Sequence, residues 1–325
     1  MLPHLQPSNQ YISVVVQGPV IGRSSDPPDQ RWTWSALESA RKILPGAEII
    51  LSTWKGSDLM DLVADCILEN EDPGATAYYN SEAQNNVNRQ IISTREGIKA
   101  SSRPFVLKIR SETVIAHDGF RKYFSRYPQR CSSQVVRERV VACTIGSYIP
   151  REVYFHSCYD PSDWFYFGKR EDVLDIWDIP LAPEPETSLW FLTHPFPNGV
   201  QECRIKMRYA NEQYVWVTFL RKHHPVAFDS FWEARDDAVR ASEESLAANL
   251  ILISPRQAGL HSLKYPVSYT YGMIDHIRQG CYTHQHWKVL YEHFCNKRSL
   301  HPAVWYPPFF RCVRTAAKAY RWIKC

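Results

Sequence analysis

Residues 85–112 read NNVNRQIISTREGIKASSRPFVLKIRSE, and this stretch decides the fold. Ile91, Ile92 and Ile98 recur at helical spacing, which predicts a helix over residues 87–100. Pro104 follows shortly afterwards and ends the turn. The short apolar run over residues 105–109 then has the length of a strand. A helix followed at once by a buried strand is typical of an α/β protein.

The strand delivers Lys108, Arg110, Ser111 and Glu112 at its carboxyl end, which is where open α/β sheets bind ligands. Lys108 and Arg110 alternate along the strand and therefore point to the same face. Two neighbouring cations in an apolar strand repel each other unless an anion lies between them. This favours binding of a diphosphate group, with pairing to buried carboxylates as the alternative.

The segments around this stretch extend the α/β pattern. The near-continuous apolar run over residues 11–16 predicts a strand covered on both faces, and Gln17-Gly18-Pro19 is a turn signal. Strand, helix and strand with short links predict a βαβ unit in a parallel sheet. The predicted helices cover residues 31–44, 58–66, 169–177 and 211–222, and the further strands cover residues 48–54 and 135–145.

Composition excludes several classes of protein. The chain has 325 residues, and its net charge of +4 is too small to indicate nucleic-acid binding. Its nine cysteines include no CxxC pair, which predicts free thiols in a reducing compartment. No export signal or membrane-spanning run occurs, so we expect a cytoplasmic protein. The Gly-rich phosphate loops and the GxSxG elbow are also absent, which disfavours NTPases, Rossmann dehydrogenases and α/β-hydrolases.

Residues near the start of the central helix are candidates for donor binding. Asn85, Asn88 and Arg89 would contact a nucleotide base and its diphosphate, because the arginine fork suits phosphate oxygens. The alternative is that they cap and solvate a helix, which is the better interpretation of Asn85. Glu112 is a candidate ligand for a divalent cation, with an ion pair to Arg110 as the alternative.

Two further segments carry candidate chemistry. Ser162, Asp163 and Trp164 lie in the aromatic passage 154–168, whose ring faces suit a sugar acceptor. Asp163 would accept a proton there, and a turn before core aromatics is the alternative. Glu212 begins the helix 211–222, as a second candidate base or as a residue that stabilises the helix dipole.

The C-terminal tail, residues 301–325, has a basic amphipathic pattern from Pro307 onward. Arg311, Arg314, Lys318 and Arg321 recur three or four residues apart, and no acidic residue follows Glu292. This predicts a helix on the surface of an anionic membrane, and the alternative is a final helix packed on the domain. We therefore expect a domain over residues 1–300 and a separate tail.

The succession VVVQGPV, NNVNRQIISTREGI, VLKIRSE, SDWFYFGKREDVLDIW and NEQYVW resembles the WavE lipopolysaccharide synthesis family. That family in turn resembles GT-A glycosyltransferases, which implies a Rossmann-like mixed sheet flanked by helices. By position, the resemblance implies that Gln17, Gly18 and Pro19 line the nucleotide. Residues 110–112 would occupy the metal-motif position, and residues 211–213 would stand where GT-A enzymes keep a catalytic carboxylate. Arg110 replaces the first acid of that motif, so a cation would stabilise the leaving group in place of a metal.

The resemblance implies a glycosyltransferase of lipopolysaccharide core, O-antigen or capsule synthesis, and a single well-placed base favours an inverting reaction. The expected donor is a UDP-sugar, with Mg²⁺ or Mn²⁺ as an optional cofactor, and the acceptor is a lipid-linked glycan or an oligosaccharide. The protein would work at the cytoplasmic face of the inner membrane. The alternatives are a sugar-nucleotide transferase and a non-catalytic scaffold of the assembly machinery.

Overall fold

The computed structural model describes residues 7–150, 157–197, 205–233, 235–264 and 280–297. Its centre is a seven-stranded mixed sheet. The strands of this sheet are β1 (Ile12–Gln17), β2 (Glu48–Trp54), β3 (Cys66–Asn70), β6 (Phe105–Arg110), β8 (Val140–Cys143), β9 (Phe165–Lys169) and β10 (Leu250–Ile253). Their order in the sheet is β10-β8-β9-β6-β1-β2-β3. β6, β1, β2 and β3 run parallel to one another, and β9 is antiparallel to both of its neighbours, β6 and β8.

Helices flank the sheet, and two short strand pairs lie outside it. β4 (Thr76–Ala77) pairs with β5 (Gln84–Asn85), and β7 (Thr113–Ile115) pairs with β11 (Leu260–Ser262). The helices are α1 (Trp32–Ile43), α2 (Val87–Ala100), α3 (Arg170–Trp177), α4 (Asn211–Arg221), α5 (Asp236–Asn249), α6 (Pro255–Ala258) and α7 (His284–Phe294). The architecture is therefore a mixed α/β fold.

The central sheet and α2 pack very closely. Every residue of β1 is buried, as expected of a strand covered on both faces. Gly97 in α2 lies directly over this strand, and a Cβ atom there would come within 2.5 Å of the Val15 side chain. The glycine weakens the isolated helix but allows α2 to approach the sheet. The predicted bounds of α2 and β2 are confirmed, and those of β1, β6, α1, α3 and α4 are confirmed to within one residue.

The predicted helix over residues 58–66 is wrong. Asp61 has a φ of 68°, which breaks a right-handed helix, and the Asp58 carboxylate accepts a hydrogen bond from the Met60 N–H at 3.2 Å. The Asp65 carboxylate bonds to the Ile49 N–H at 2.7 Å and fixes the segment beside β2. Cys66 then opens the edge strand β3. The positive φ of Asp61 and the pairing of Asp65 with β2 therefore exclude a helix here.

The predicted strand over residues 135–145 is longer than the observed β8. Before that strand begins, side chains rather than a neighbouring strand accept hydrogen bonds from the backbone. The Arg137 and Glu138 N–H groups bond to the Asp172 carboxylate at 2.7 and 3.0 Å. The Val135 N–H bonds to the Asn249 amide oxygen at 2.8 Å. Sheet pairing is therefore confined to residues 140–143.

The six cysteines of the described residues are free thiols. The Sγ atoms of Cys131 and Cys295 lie 3.0 Å apart. Across the ranges given above, no helix is long and apolar enough to cross a membrane. The predicted basic helix in residues 301–325 lies outside the described residues.

Candidate active site

A cleft of about 660 Å³ opens at the carboxyl edge of the parallel strands. Gln17 at the end of β1 pairs in register with Arg110 at the end of β6, so the two side chains reach the same edge. Trp54 ends the neighbouring β2 and lines the same cleft. The other lining residues are Gly18, Pro19, Asp72, Ala83, Gln84, Asn86, Arg89, Gln90, Ser93, Glu112, Asn211, Glu212 and Lys264.

The turn after β1 forms one wall of the cleft. The Gly18 N–H donates to the Ser52 carbonyl at 3.1 Å, and the Ser111 N–H donates to the Gln17 carbonyl at 2.8 Å. Gly18 has a φ of 124°, and a Cβ atom there would lie 3.0 Å from the Ser111 hydroxyl. That hydroxyl donates to the Pro19 carbonyl at 2.7 Å. Ser111 therefore shapes the turn from behind and does not line the cleft.

The first turns of α2 provide a second wall. Arg89 donates two hydrogen bonds to the Asp72 carboxylate, at 2.7 and 2.6 Å, and a third to the Asn86 side chain at 3.0 Å. The Arg89 guanidinium lowers the pKa of Asp72, and Asp72 raises the pKa of Arg89. The Ser93 hydroxyl bonds to the Gln17 side chain at 2.7 Å and orients it. Arg89 is therefore fixed in place where it faces the cleft.

Asn85 and Asn88 connect α2 to the segment that follows α3. The Asn85 amide donates to Ser188 at 2.9 Å and to Glu184 at 3.0 Å. The Asn88 side chain bonds both to the Ala182 carbonyl, at 3.0 Å, and to the Ala182 N–H, at 2.7 Å. Neither asparagine lines the cleft, so both predicted donor contacts are occupied by internal hydrogen bonds.

Arg110 is the cation at the centre of the cleft wall. Its Nε atom lies 2.6 Å from a Glu112 carboxylate oxygen, and its Nη1 atom lies 3.7 Å from Asp163. The guanidinium also lies over the Trp164 ring, 5.7 Å from the centroid. Both acids are almost fully buried, whereas about a fifth of the Arg110 side chain is exposed. Arg110 is therefore paired with buried carboxylates, the alternative given for it in the sequence analysis, and the exposed part of its side chain lines the cleft.

Glu112 does not fit a divalent-cation site in this arrangement. The Arg110 guanidinium occupies one of the two Glu112 carboxylate oxygens, and its positive charge would repel a cation at the other. Within the described ranges, no group of three or more His, Cys, Asp or Glu side chains is placed to hold a metal ion. We therefore derive no step that passes through a metal.

Lys108 lies behind the cleft and does not line it. Its ammonium group is fully buried, donates to the backbone carbonyl of Asp163, and lies 4.7 Å from the centre of the Trp177 ring. Burial lowers the pKa of Lys108 to about 8, against the opposing effect of the Asp163 charge. Lys108 and Arg110, which were predicted to act together, therefore differ in burial. Of these two residues, Arg110 lines the cleft and Lys108 does not.

Glu212 and two buried aspartates form an acidic cluster at this end of the cleft. Glu212 lines the cleft from the first turn of α4, while Asp160 and Asp163 are 5% and 2% exposed. Neither carboxylate oxygen of Asp163 accepts a hydrogen bond from the described residues. Burial, and then the Asp163 charge, raise the pKa of Glu212 to about 7, although Arg110 and Lys108 oppose this. Burial and the Glu212 charge likewise raise the pKa of Asp160.

A carboxyl group with a pKa near 7 suits a general base at neutral pH. It is half ionised there, and its conjugate acid is strong enough to return the proton. Glu212 has this property and faces the cleft, whereas Asp163 is enclosed beneath it. The cluster can therefore accept a proton from a bound hydroxyl through Glu212.

The three residues predicted to bind the acceptor lie in the floor of the site. Ser162 and Asp163 are buried, and the Ser162 hydroxyl accepts a hydrogen bond from the Trp164 N–H at 3.3 Å. Trp164 is partly exposed but does not line the cleft. Residues 162–164 thus pack behind Arg110 and do not form an open surface.

Sequence reasoning missed several residues of the cleft and of its acidic cluster. Trp54 ends a correctly predicted strand, so its position at the carboxyl edge of the sheet was a usable signal. Asp160 lies only three residues before Asp163, in the same motif. Asp72 and Lys264 reach the cleft from loops whose path the local sequence does not predict.

Comparisons with known proteins give one strong match. A family model described as WavE lipopolysaccharide synthesis matches residues 12–317. No curated protein matches the chain. Among solved structures, 4-diphosphocytidyl-2C-methyl-D-erythritol synthase from Anaerococcus prevotii is 11% identical, with a TM-score of 0.34, covering 72% of this chain and 97% of that one. The inositol-1-phosphate CTP transferase from T. maritima is also 11% identical, with a TM-score of 0.29, covering 52% and 74%. Both scores are too low to support an argument about this chain.

Proposed function

Because the chain belongs to the WavE lipopolysaccharide synthesis family, we propose that it is a glycosyltransferase of GT-A type. It would transfer a sugar from a nucleotide-sugar donor to a lipopolysaccharide core, O-antigen or capsule glycan. The observation that carries this proposal is Glu212, a carboxyl group with a pKa of about 7, beside Arg110 in one open cleft. An acid and a cation so arranged match a reaction in which a hydroxyl loses a proton and a diphosphate leaves.

The donor would lie along the carboxyl edge of the parallel strands. A nucleobase would stack on the Trp54 ring, near the end of β2, and the diphosphate would extend toward Arg110. Arginine suits this role because its planar fork binds two phosphate oxygens at once. A volume of about 660 Å³ is within the range of small-molecule sites. A UDP-sugar is the donor that we propose to test first.

The chemical step would be a direct displacement at the anomeric carbon. The acceptor hydroxyl gives its proton to the Glu212 carboxylate as its oxygen forms the new bond to that carbon. The bond from the carbon to the diphosphate oxygen breaks, and both of its electrons leave with the nucleotide diphosphate. Arg110 stabilises the negative charge that develops on the leaving group. Attack from the side opposite the diphosphate inverts the configuration of the anomeric carbon.

Replacing Glu212 tests the proposal. Glu212→Gln should reduce the turnover number of sugar transfer by roughly 100- to 10,000-fold, the usual contribution of a general base. Transfer to a core oligosaccharide can be followed by mass spectrometry, with Asp163→Asn in parallel. Glu171→Gln is a matched control, because Glu171 is also the second residue of a helix but is largely exposed. Wild-type turnover in both Glu212→Gln and Asp163→Asn would remove the proposed base.

Two assays separate this function from its rivals. A sugar-nucleotide transferase would release pyrophosphate when supplied with a nucleoside triphosphate and a sugar phosphate. A non-catalytic scaffold would bind neither UDP nor GDP in a calorimetric titration. The glycosyltransferase should bind one of these nucleotides and release no pyrophosphate.

Membrane attachment through the basic tail belongs to the same proposal. The acceptor would be lipid-linked, and the cations in residues 307–325 would hold the enzyme near anionic lipid at about 1 kcal/mol each. Deleting residues 307–325 should release the protein from vesicles that contain phosphatidylglycerol, as measured by co-sedimentation. Unchanged co-sedimentation of the shortened chain would contradict a role for the tail.

A further inference from the structure

A second cavity of about 400 Å³ lies next to the cleft. Residues 78–81 line one side and residues 205–207 line the other. The first group belongs to the loop of the β4–β5 hairpin, and the strand after this loop contributes Gln84 to the cleft itself. One hairpin therefore separates the two cavities.

A hydrogen bond joins the walls of the two cavities. The Tyr78 hydroxyl, in the second cavity, donates to the Asn211 side chain at 3.4 Å. Asn211 lines the cleft and directly precedes Glu212. The walls of the two cavities therefore meet at the residue that precedes Glu212.

The lining of the second cavity combines an aromatic face with a cation. Tyr79 is 39% exposed, which is unusual for a large aromatic side chain. The Lys206 ammonium lies 5.6 Å from the Tyr79 ring centre and 5.1 Å from that of Phe196. An aromatic face packs against the C–H surface of a sugar ring, and a nearby ammonium group attracts an anionic substituent.

We infer that this cavity holds the acceptor, as a sugar ring on Tyr79 whose anionic substituent faces Lys206. This inference rests on the proposed function, since it places the acceptor hydroxyl where Glu212 would receive its proton. It also assigns a role to the hairpin, which separates donor from acceptor. The buried Ser162 and Asp163 then support the cleft rather than contact the acceptor.

Variants of Tyr79 test this inference. Tyr79→Ala should raise the KM for a lipopolysaccharide core oligosaccharide at least tenfold, with the affinity for UDP unchanged by calorimetry. Tyr79→Phe keeps the ring and should behave like the wild type. Removing the phosphates of the oligosaccharide should weaken its binding to the wild-type protein but have less effect on Lys206→Met. An unchanged KM in Tyr79→Ala, or equal losses in both Tyr79 variants, would overturn the inference.

Direct binding measurements keep this test apart from the proposed function. Saturation-transfer NMR with the same oligosaccharide needs no turnover. If the wild type binds the oligosaccharide through Tyr79 but transfers no sugar, the proposed reaction fails and the site stands. If the enzyme transfers sugar and Tyr79→Ala is unaffected, the reaction stands and the site fails.

A separate observation concerns the thiols of Cys131 and Cys295, whose Sγ atoms are 3.0 Å apart. A disulfide requires about 2 Å, so only a small movement would bring the sulfurs together. The Arg139 guanidinium donates to the Cys295 sulfur at 3.2 Å and favours its thiolate form. Cys131 is partly exposed, which gives a small oxidant access to the pair.

We also infer that Cys131 and Cys295 are a site of reversible oxidation by a peroxide. The Cys295 thiolate attacks the peroxide, breaks its O–O bond and becomes a sulfenic acid, and one water is formed. The Cys131 thiol then attacks that sulfur and releases a second water as the disulfide forms. The bond would tie the end of α7 to the segment that precedes β8.

Peptide mapping of the full-length protein after treatment with hydrogen peroxide tests this site. A cross-link between Cys131 and Cys295 should appear and should be reversed by dithiothreitol. Cys131→Ser should lose the cross-link and leave Cys295 as a sulfenic acid that dimedone traps. Thiols that stay reduced, or a cross-link to Cys203, Cys312 or Cys325 instead, would overturn the inference.

Discussion

The charged side chains on the two sides of the cleft differ in burial and in pairing. On the side of the parallel strands and α2, Arg89 and Asp72 are paired at 2.6 Å and remain partly exposed. On the side of α4 and β9, Asp163 is buried and its oxygens accept no hydrogen bond from the described residues. Paired and hydrated charges cost little free energy, whereas a buried carboxylate without hydrogen bonds is expensive. The first side is therefore suited to binding a ligand, and the second side is suited to proton transfer.

Arg110 is where the two sides meet, and its replacement should have the largest effect on ligand binding. Arg110→Gln should weaken UDP binding by roughly 100-fold, about 3 kcal/mol, because a charged bidentate contact is lost. Lys108→Met should change UDP affinity less than threefold, because Lys108 does not line the cleft. Calorimetric titration measures both affinities.

The stability of each variant needs to be followed in the same experiment. Arg110→Gln leaves Glu112 and Asp163 without their guanidinium partner, so circular dichroism must confirm that the variant is folded. Arg110→Lys, which keeps the charge, should retain more affinity than Arg110→Gln. Equal losses of UDP affinity in Lys108→Met and Arg110→Gln would contradict the prediction that only the second of these side chains contacts the nucleotide.

The sequence could not predict how deeply each of these two cations is buried. The alternation along β6 correctly put Lys108 and Arg110 at the carboxyl end of a buried strand. Whether a side chain at that end meets solvent depends on distant segments. The Asp163 carbonyl, just before β9, and the Trp177 ring of α3 cover Lys108. Those contacts join residues more than fifty positions apart in the sequence.

The parallel half of the sheet was more predictable than the rest for a related reason. Strands β1, β2 and β6 and helix α2 carry their own periodicity, since burial on both faces leaves continuous apolar runs. The acidic cluster instead draws Asp160 and Glu212 from segments about fifty residues apart, and no local pattern brings them together. The helix predicted over residues 58–66 was wrong because Asp61 has a positive φ and Asp65 bonds to Ile49 of β2, a contact that the local pattern does not reveal.

Glu212 should lower the stability of the protein at neutral and alkaline pH. Its pKa rises from 4.5 to about 7 on folding, so the folded state binds the proton more tightly than the unfolded state. The free energy of unfolding then falls as pH rises from about 4.5 to 7, by at most about 3 kcal/mol. Glu212→Gln should therefore stabilise the protein by about 2 kcal/mol at pH 8 and by nothing at pH 4.

Urea denaturation at these two pH values measures the difference. Glu171→Gln is again the matched control and should show no such gain, because Glu171 is exposed and paired with Arg137 at the surface. A Glu212→Gln variant that is less stable than the wild type at pH 8 would show that the ionised Glu212 carboxylate does not destabilise the folded protein.

The contact between α2 and the sheet should give the smallest effect. In Gly97→Ala the new methyl group meets Val15, so α2 must move outward. Overpacking costs between about 1 and 3 kcal/mol, and the better helix propensity of alanine returns up to about 1 kcal/mol. We expect a net loss of about 1 kcal/mol in urea denaturation, with weaker UDP binding because α2 carries Arg89.

The hydrogen bonds of Asn85 and Asn88 have a consequence for how the cleft meets its ligand. Together with the bond from Arg95 to the Ile179 carbonyl at 3.3 Å, they fasten α2 along its length to residues 179–188. These hydrogen bonds thus fix the position of the wall that carries Arg89 in the absence of a ligand. Binding to a preorganised wall does not cost the entropy of ordering it. We therefore expect a nucleotide to bind on this side without a change in the conformation of α2.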